Sequence, residues 1–556
     1  MMRPVAPALT LAIALAIASA CGGGDDGGTP TPDHTTPAST PGKVTPGGGG
    51  SPGPVNGVID LATQEAAVTI RGADIGDYFN DLPALVTGDV NSDGLADLLI
   101  GARFGDGPGN SREDSGEAYL ILGERDLPAT IDLAVPEADV TIYGARGKSR
   151  ESPLGDQAGF SGALADVNGD GLDDIILGAP FAPRSDNGTT AGMAYVTYGS
   201  KSLPPTIDLA ETAPGLTLAG SAGNSFFGDS VASTDVNGDG YSDVIVGAPF
   251  QPRPPDFERP GQQAGAVFVW YGSDSLIGTR DVSAGEFDIA IYGKEEFEGG
   301  DEAGDNVAGG DLNGDGLGDI VITAEAADGP NNDRSVDAEV YVVYGSPNLA
   351  GLLDIGAGDQ DVTVYGADVN DTLGFNIAAI DLTGDGIADL LVSARGGDGE
   401  GDHTPEGGEL HIFPGGSLPE LIDLADYPAD IYVYGADPAD FLGNGLGAAD
   451  FDGDGVNELF VGSPGGDGIL NDASTFRDGG EGFIIDASAL TGAVRVLEAP
   501  LNLAVYGARQ DDALGTSMAA GDMDGDGRPE LILMAIRADG PDASRPDAGT
   551  IYIVKP

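Results

Sequence analysis

The sequence has little of what disulfide bonding or nucleic-acid binding would use. Its 556 residues include one cysteine, one tryptophan and three histidines, so a disulfide within the chain is excluded. Lysine and arginine number 24 against 91 aspartates and glutamates, which gives a net charge of −67. This charge excludes nucleic acid as an expected partner and disfavours direct contact with anionic membrane surfaces, because both ligands are themselves negative.

Motifs for catalysis are also scarce. His34 lies in a Gly/Pro-rich segment, His403 lies in a loop beside Asp402, and His411 alternates within an apolar strand. The sequence has no G-x-S-x-G, H-E-x-x-H or nucleophilic cysteine pattern. We therefore expect no enzymatic activity. A calcium-stabilised hydrolase or lyase acting on polysaccharide or glycolipid remains the alternative.

The sequence instead contains an acidic nine-residue loop, D-x-[DNT]-x-D-G-x-x-[DE], in seven copies about 70 residues apart. Calcium takes about six to eight oxygen ligands in a flexible cage. The side chains at loop positions 1, 3, 5 and 9 and the backbone carbonyl at position 7 can supply oxygens, and glycine at position 6 permits a tight curl. An EF-hand has glutamate at position 12, but that position is apolar in every copy, so each loop should run into a strand.

These loops predict up to seven Ca²⁺ sites, and their number disfavours the alternative of simple Asn/Asp-Gly turns. The predicted ligands are Asp89, Asn91, Asp93, Leu95 and Asp97; Asp166, Asn168, Asp170, Leu172 and Asp174; Asp235, Asn237, Asp239, Tyr241 and Asp243; Asp311, Asn313, Asp315, Leu317 and Asp319; Asp381, Thr383, Asp385, Ile387 and Asp389; Asp450, Asp452, Asp454, Val456 and Glu458; and Asp522, Asp524, Asp526, Arg528 and Glu530. Thr383 is a weaker neutral ligand, whereas Asp452 and Asp524 each add a carboxylate.

Each loop belongs to a repeated unit of about four short strands without a long helical pattern. Face-to-face packing of such units predicts an all-β fold, a seven-bladed β-propeller with four-stranded blades. The segments at 58–61 and 68–72 match the piece missing after Val554, so an N-terminal strand should close the last blade. An open solenoid, the alternative, would need capping units. The expected blades are 73–145, 146–220, 221–293, 294–366, 367–435, 436–507, and 508–556 with 58–72.

The units resemble the FG-GAP repeats of integrin α-subunit propellers. The matching elements are Phe227-Gly228, the acidic loop, and Gly-Ala-Pro at 178–180 and 247–249, although this tripeptide is altered at 101–103, 323–325 and 534–536. The resemblance covers about 58–556. It implies metal loops on the face opposite the partner-binding face, with structural ions. FG-GAP repeats also accompany a phospholipase D specific for glycolipid anchors, which has a separate catalytic domain.

The first 57 residues predict export. An apolar stretch after Arg3 indicates a signal peptide over 1–20, and Ala18-Ser-Ala-Cys21 resembles a bacterial lipobox with Cys21 as the lipidated residue. Residues 21–57, rich in Gly, Pro and Thr, should form a disordered tether. The chain is therefore predicted to be an outer-membrane or cell-surface lipoprotein whose only membrane contact is its lipid anchor. An ordinary signal peptide, and a secreted protein, is the alternative.

A second set of recurring loops lies on the face predicted to be opposite the metal loops. Most of these loops contain Asp-Gly, but two are Pro-rich and carry arginine. We interpret them either as repeated turns or as a partner-binding rim, with a patch at Arg184, Arg253, Phe257 and Trp270. The leading prediction is a monomeric, surface-anchored adhesion or binding module for a protein or glycan partner. A purely structural surface protein is a further alternative.

Overall fold

The computed structural model describes residues 57–556 apart from 75–83, 136, 150–152, 185–189, 222, 256, 258–262, 295–299, 331–333, 335–337, 400–402, 427–428, 468–478 and 540–544. The predicted signal peptide, Cys21 and the tether lie outside the described residues. Described regular structure is β-strand, with short 3-10 helices at Val282–Ala284, Ile355–Ala357, Ala487–Ala489 and Val496–Glu498. Among the described residues no helix is both long and apolar enough to cross a bilayer.

The strands are short, and they recur in the same order in every unit. In chain order they are β1 Gly57–Asp60, β2 Val68–Arg71, β3 Leu85–Gly88, β4 Asp97–Ala102, β5 Glu117–Ile121, β6 Thr130–Asp132, β7 Val140–Tyr143, β8 Gly162–Ala165, β9 Asp174–Ala179, β10 Met193–Thr197, β11 Thr206–Asp208, β12 Leu216–Ala219, β13 Val231–Thr234, β14 Asp243–Ala248, β15 Ala266–Trp270, β16 Gly278–Asp281, β17 Ile289–Tyr292, β18 Ala303–Gly310, β19 Asp319–Ala324, β20 Glu339–Val343, β21 Gly351–Asp354, β22 Val362–Tyr365, β23 Leu373–Ile380, β24 Asp389–Ala394, β25 Glu409–Phe413, β26 Leu421–Asp423, β27 Ile431–Tyr434, β28 Leu446–Ala449, β29 Glu458–Ser463, β30 Glu481–Ile485, β31 Gly492–Arg495, β32 Leu501–Tyr506, β33 Leu514–Gly521, β34 Glu530–Ala535 and β35 Thr550–Val554.

These strands form seven sheets, which are the seven predicted blades. From the inside outward they are β3-β4-β5-β7-β11, β8-β9-β10-β12-β16, β13-β14-β15-β17-β21, β18-β19-β20-β22-β26, β23-β24-β25-β27-β31, β28-β29-β30-β32-β1 and β33-β34-β35-β2-β6. The first strand of each blade contacts the first strand of the next, and β33 contacts β3. The first strands therefore form a closed circle, and the seven-bladed propeller is confirmed.

The N-terminal segment closes the ring as predicted. Strand β2 pairs antiparallel with β35, with Ile70 opposite Ile551. Strand β1 pairs in parallel with β32 in the sixth blade, with Val58 opposite Ala504. Because Ile70 is fully buried, this closure also completes the packing of the seventh blade.

The blades have five strands rather than the predicted four. The extra strand is the segment that reads T-I-D in β6 and β11 and its equivalent in the other units, which pairs in parallel with the fourth strand of the preceding blade. In the first such pair, Ile207 of β11 lies opposite Ile142 of β7. Ile207 is buried while Thr206 is exposed, so only one side chain of this three-residue strand faces the core. So brief an alternation is too short to distinguish a strand from a connecting loop in the sequence.

The core lies between neighbouring blades. The second strand of each blade is buried along its whole length, as in Asp97–Ala102 and Asp174–Ala179. One cluster joins Ile70 and Ile551 of the seventh blade to Leu98 and Tyr119 of the first. Sheets covered on both faces explain why these strands are continuously apolar in the sequence.

Candidate functional site

Each acidic loop connects the first strand of a blade to the second, and backbone hydrogen bonds to its first aspartate shape it. In the second loop, Asp166 Oδ1 accepts from the N–H groups of Gly169 at 2.7 Å and Asp170 at 3.0 Å. Its Oδ2 accepts from Gly171 at 2.8 Å. Gly171 has φ +83°, a conformation that favours glycine. The first aspartate therefore holds the loop in a tight curl.

The acid at position 9 is buried beneath the loop. Asp174 Oδ2 accepts from the N–H of Val167 at 3.0 Å, and its Oδ1 accepts from Gly199 at 2.8 Å. Burial raises the pKa of Asp174 to about 7, even though these two bonds lower it. Burial has the same effect at Asp97 and Asp243, with pKa values of about 7. Ionising a carboxyl group at this buried position costs free energy unless a cation lies nearby.

The loop residues fit a hard cation. Within the described part of the chain, the side-chain oxygen of Asn91 at position 3 is buried and receives no hydrogen bond. Carboxylate oxygens of Asp450, Asp452 and Glu458 lie within 4.8 Å of one another, as do those of Asp522, Asp524 and Glu530. The available metal ligands are oxygen atoms, most of them from carboxylates, and Ca²⁺ prefers ligands of this kind. Thr383 is exposed and offers a hydroxyl where the other loops have an amide or carboxylate oxygen, so the fifth loop has the weakest set of ligands.

Neighbouring loops are hydrogen-bonded to each other. From the first loop to the fifth, the N–H at position 8 donates to the carbonyl at position 1 of the preceding loop, as from Asp173 to Asp89 at 3.0 Å and from Gly318 to Asp235 at 2.7 Å. The first loop joins the seventh in the same way, because Ala96 N–H donates to Asp522 O at 2.9 Å. In the sixth loop the side-chain amide of Asn457 donates to Asp381 O at 2.7 Å instead, while Pro529 at position 8 of the seventh loop has no N–H to donate. Every loop follows a first strand of the closed circle, so all seven loops lie on one face.

The predicted partner residues have structural contacts instead. Arg184 pairs with Asp281, and Arg253 pairs with Asp354, in each case at the fifth strand of the same blade. Arg112 forms the equivalent pair with Asp208 in the first blade, at 2.6 and 2.8 Å. In these three blades an arginine of the loop after the second strand thus fastens the outermost strand of the same blade. A partner-binding role of these loops stays a prediction.

Two of the predicted partner-binding residues are almost completely buried. Trp270 is 1% exposed and packs against Phe227, while Arg253 is 5% exposed with its guanidinium 5.3 Å from the Phe257 ring. Trp270 therefore belongs to the core of the third blade, and Arg253 is buried beside Phe257. Partner binding by these two residues stays a prediction. Phe257 is half-buried against Tyr292.

The face opposite the metal loops carries another arrangement, which we term the central ring. It is formed where first strands begin and second strands end, at the innermost edge of each sheet. Its described members are Arg103, Phe104, Phe160, Phe181, Phe226, Asp229, Phe250, Glu302, Asp305, Glu325, Phe375, Arg395 and Phe441. Arg103 of the first blade acts electrostatically on Asp229 of the third, a proximity that only residues near the axis can have.

Aromatic side chains form an arc within the central ring. Phe181 lies 4.9 Å from Phe226, which lies 4.9 Å from Phe250, measured between ring centroids. These three rings are half-buried, so part of each remains accessible. On the other side of the ring, the guanidinium of Arg395 lies 4.8 Å from Phe375 and 5.0 Å from Phe441. The ring therefore has aromatic surfaces suited to packing and to cation–π contact.

Four acids complete the central ring in the third and fourth blades. Burial raises the pKa of Asp229 to about 8, although Arg103 lowers it. Burial and Glu325 together raise the pKa of Glu302 to about 7, and the pKa of Asp305 is raised well above its usual value by burial and neighbouring carboxylates. Burial also raises the pKa of Glu325, with Arg395 opposing the shift. These four acids lie in two adjacent blades, whereas the described members of the central ring include two arginines, Arg103 and Arg395.

The sequence contained a signal for part of the central ring. Gly-Ala-Pro ends the second strand in two blades, but its third residue is Arg103 in the first blade and Glu325 in the fourth. A charged residue that replaces proline at a repeated position points to a role beyond the repeat itself. The third residue of this tripeptide faces the axis only because the blades close into a circle, which the local sequence does not show.

Comparisons with known proteins agree with this architecture. The family model for the FG-GAP repeat matches residues 83–121, 158–197, 227–270 and 514–554. Phosphatidylinositol-glycan-specific phospholipase D of Bos taurus is 29% identical over 215 residues, which are 38% of this chain and 23% of that protein. Integrin alpha-5 of Xenopus laevis is 30% identical over 236 residues, 39% of this chain and 21% of that protein. The chain thus spans less than a quarter of the length of either relative.

A search of solved structures gives a weaker likeness. The exotype rhamnogalacturonan lyase YesX matches with a TM-score of 0.33 and 13% identity, covering 89% of this chain and 75% of that one. A likeness at this level carries no functional argument. The chain therefore has FG-GAP repeats in a seven-bladed propeller and is similar to segments of integrin α-subunits and of phosphatidylinositol-glycan-specific phospholipases D.

Proposed function

We propose that this chain, a seven-bladed propeller with FG-GAP repeats, is a calcium-stabilised module that binds a protein partner through its central ring. The observation that carries the proposal is the combination of half-buried phenylalanines and closely spaced acids at the axis, on the face away from the metal loops. A well-packed interface core draws on aromatic anchors of this kind. The integrin α relatives support a protein rather than a glycan as the ligand.

The chemistry of the central ring favours a cationic group on the partner. Asp229, Glu302, Asp305 and Glu325 outnumber the ring's Arg103 and Arg395, and the whole chain carries a charge of −67. A lysine or arginine side chain could lie against the Phe226 face while neutralising these acids. The net charge would also accelerate encounter with a basic partner at low ionic strength.

The metal loops have a supporting role in this proposal. Side chains at positions 1, 3, 5 and 9 and the carbonyl at position 7 would hold Ca²⁺, which supplies positive charge to otherwise repelling carboxylates. The loops are at the opposite end of the first strands from the central ring. Ions there would fix the inner strands in position rather than contact the partner.

A catalytic alternative comes from the phospholipase D relatives. The alignment covers only 23% of the bovine protein, so that enzyme's activity is not carried over to this chain. His411, an otherwise possible acid–base residue, is buried, stacks on Tyr432 at 5.6 Å and lies 3.2 Å from Glu409. We therefore favour binding over hydrolysis for this propeller.

Export and lipid attachment at Cys21 are part of the same proposal. A thioether-linked lipid followed by the segment 22–57 would place the propeller at a distance from the membrane. Cells expressing the full chain should incorporate labelled palmitate into it, and Cys21→Ala should abolish the label. Continued labelling of Cys21→Ala would contradict lipidation at this residue, while an unlabelled wild-type protein recovered from the medium would support the secreted alternative.

The central ring can be tested with a displayed library of random peptides selected against the full-length protein. We expect enriched peptides to contain lysine or arginine. We also expect Asp305→Asn combined with Glu325→Gln to weaken their binding at least tenfold, a loss of about 1.4 kcal/mol. Binding should strengthen as pH rises through about 7 to 8, because Glu302 and Asp229 then ionise. Titration of labelled peptides by fluorescence anisotropy measures both effects.

A matched control removes two acids away from the ring. Asp426→Asn with Glu420→Gln changes the net charge equally, and both residues are exposed near the outermost strand of the fourth blade. This control should bind like the wild type. Equal loss in both double variants would mean that only overall charge matters, and enrichment of a glycan instead, on a parallel glycan array, would favour the carbohydrate alternative.

A further inference from the structure

The seven metal loops divide into two kinds according to the acid at position 9. In five loops this acid is aspartate, and backbone N–H groups reach both of its oxygens, as Val167 and Gly199 do at Asp174. In the sixth and seventh loops it is glutamate, and position 3 is aspartate. These are also the loops in which carboxylates at positions 1, 3 and 9 lie within 4.8 Å of one another.

A proline after β35 explains part of the difference between the seventh loop and the five loops with aspartate at position 9. In the second blade Thr197 lies opposite Ile175, and in the seventh Val554 lies opposite Leu531. Pro556 therefore occupies the position of Gly199, whose N–H donates to the buried aspartate. Proline has no N–H to donate. Glu530 Oε2 accepts from Met523 N–H at 2.9 Å, and its Oε1 is turned towards the loop.

A lysine from the same chain lies against this loop. Lys555 Nζ contacts Asp524 Oδ2 and lies 3.6 Å from Asp526 Oδ2 and 3.7 Å from Glu530 Oε1. The other oxygens of Asp524 and Asp526 accept from the N–H groups of Asp526 and Arg528, each at 3.1 Å. The ammonium therefore lies at the three carboxylate oxygens that the loop's own backbone leaves available to a cation.

The sixth loop provides a natural comparison. It has the same acids at positions 1, 3, 5 and 9, namely Asp450, Asp452, Asp454 and Glu458. Because Ile485 lies opposite Leu459, the residue in the place of Lys555 is Asp486. Asp486 carries the opposite charge, and its carboxylate accepts from Ser488 at the start of a 3-10 helix. The two loops thus differ in having or lacking an internal cation.

We propose that Lys555 competes with Ca²⁺ for the seventh loop, so that this loop binds the ion more weakly than the matching sixth loop. The inference rests on the proposed calcium binding. Ca²⁺ and the Lys555 ammonium would contact the same oxygens, so the ion must either displace the ammonium or bind against its electrostatic repulsion. The lysine side chain is 49% exposed and follows the last strand, so displacement into water requires no rearrangement of the core.

The test is Ca²⁺ titration of the full-length protein followed by native mass spectrometry, which counts bound ions. Lys555→Met should tighten one site roughly tenfold, because it removes a unit charge a few ångströms from the ion. Lys555→Arg should retain wild-type binding. In a background that carries Asp524→Asn, Lys555→Met should no longer change the titration, whereas Asp452→Asn in the sixth loop should preserve its effect.

The outcomes separate this inference from the proposed function. A wild-type protein that binds several Ca²⁺ ions, with a titration unchanged by Lys555→Met, would overturn the role of Lys555 and leave calcium binding intact. A Lys555→Arg protein that behaves like Lys555→Met would overturn it as well, since the charge would then be irrelevant. A wild-type protein without bound Ca²⁺ would overturn both.

Discussion

Treatment of the full-length protein with EGTA should lower its melting temperature by more than about 10 °C. A site loaded at 100 times its Kd contributes about 2.7 kcal/mol, so four such sites would contribute roughly 11 kcal/mol. That sum is comparable with the whole stability of a typical domain, about 5–15 kcal/mol. Without the ions, carboxylates such as those of Asp450, Asp452 and Glu458 face each other within 4.8 Å.

The hydrogen bonds between loops should make this loss cooperative. The bond from Asp173 to Asp89 connects adjacent loops, and the bond from Ala96 to Asp522 connects the first to the last. A loop that opens therefore removes support from its neighbour. Differential scanning fluorimetry with EGTA, with EGTA plus excess Ca²⁺, and with EGTA plus Mg²⁺ provides the measurement. Recovery with Ca²⁺ but not with Mg²⁺ is expected, because Mg²⁺ requires a stricter octahedral geometry. An unchanged melting temperature in EGTA would contradict calcium dependence.

Deletion of residues 57–72 should prevent formation of a stable monomer. Without β2, the long edge of β35 is open, and Ile551 and Ile553 lose a neighbour that now covers them almost completely. Such an exposed, apolar edge favours association with other chains. Size-exclusion chromatography should show aggregates, and limited proteolysis should begin within the seventh blade.

A point substitution gives a milder version of this experiment. Ile70→Ala removes a fully buried side chain and should cost about 2–5 kcal/mol, while Val58→Ala at the exposed position in β1 should cost much less. Urea unfolding monitored by tyrosine fluorescence can compare the two. A deletion variant that stays monomeric with the wild-type melting temperature would contradict closure by β2.

Local chemistry and repetition made the fold readable from the sequence. The seven loops counted the blades, and the match between the segment at 68–72 and the fourth strands located the closure correctly. The fifth strands were not predicted, because Thr206–Asp208 and its equivalents are three or four residues long and pair with a blade other than their own. Periodicity within one segment carries no information about such a distant pairing.

The functional surface was harder to read for the same reason. Arg184 and Trp270 were noticeable as rare residue types in an acidic, tryptophan-poor chain, but one forms an ion pair with Asp281 and the other is buried. The central ring combines residues from six blades, including Arg103, Asp229 and Phe441, that have no common motif in the sequence. Their proximity depends on the circular arrangement, which brings together positions hundreds of residues apart.

The N-terminal strands have a consequence for how the molecule folds. β1 and β2 must wait for β32 and β35, which lie more than 400 residues later, at Leu501–Tyr506 and Thr550–Val554. Throughout synthesis and any export step, Ile70 can meet Ile131 of β6 but lacks its antiparallel partner Ile551, so the circle of first strands stays open. Pairings of such long sequence separation slow folding, since much chain entropy is lost before they form. Ring closure should accordingly be the slow final event, and a partner that requires all blades in place would recognise only finished molecules.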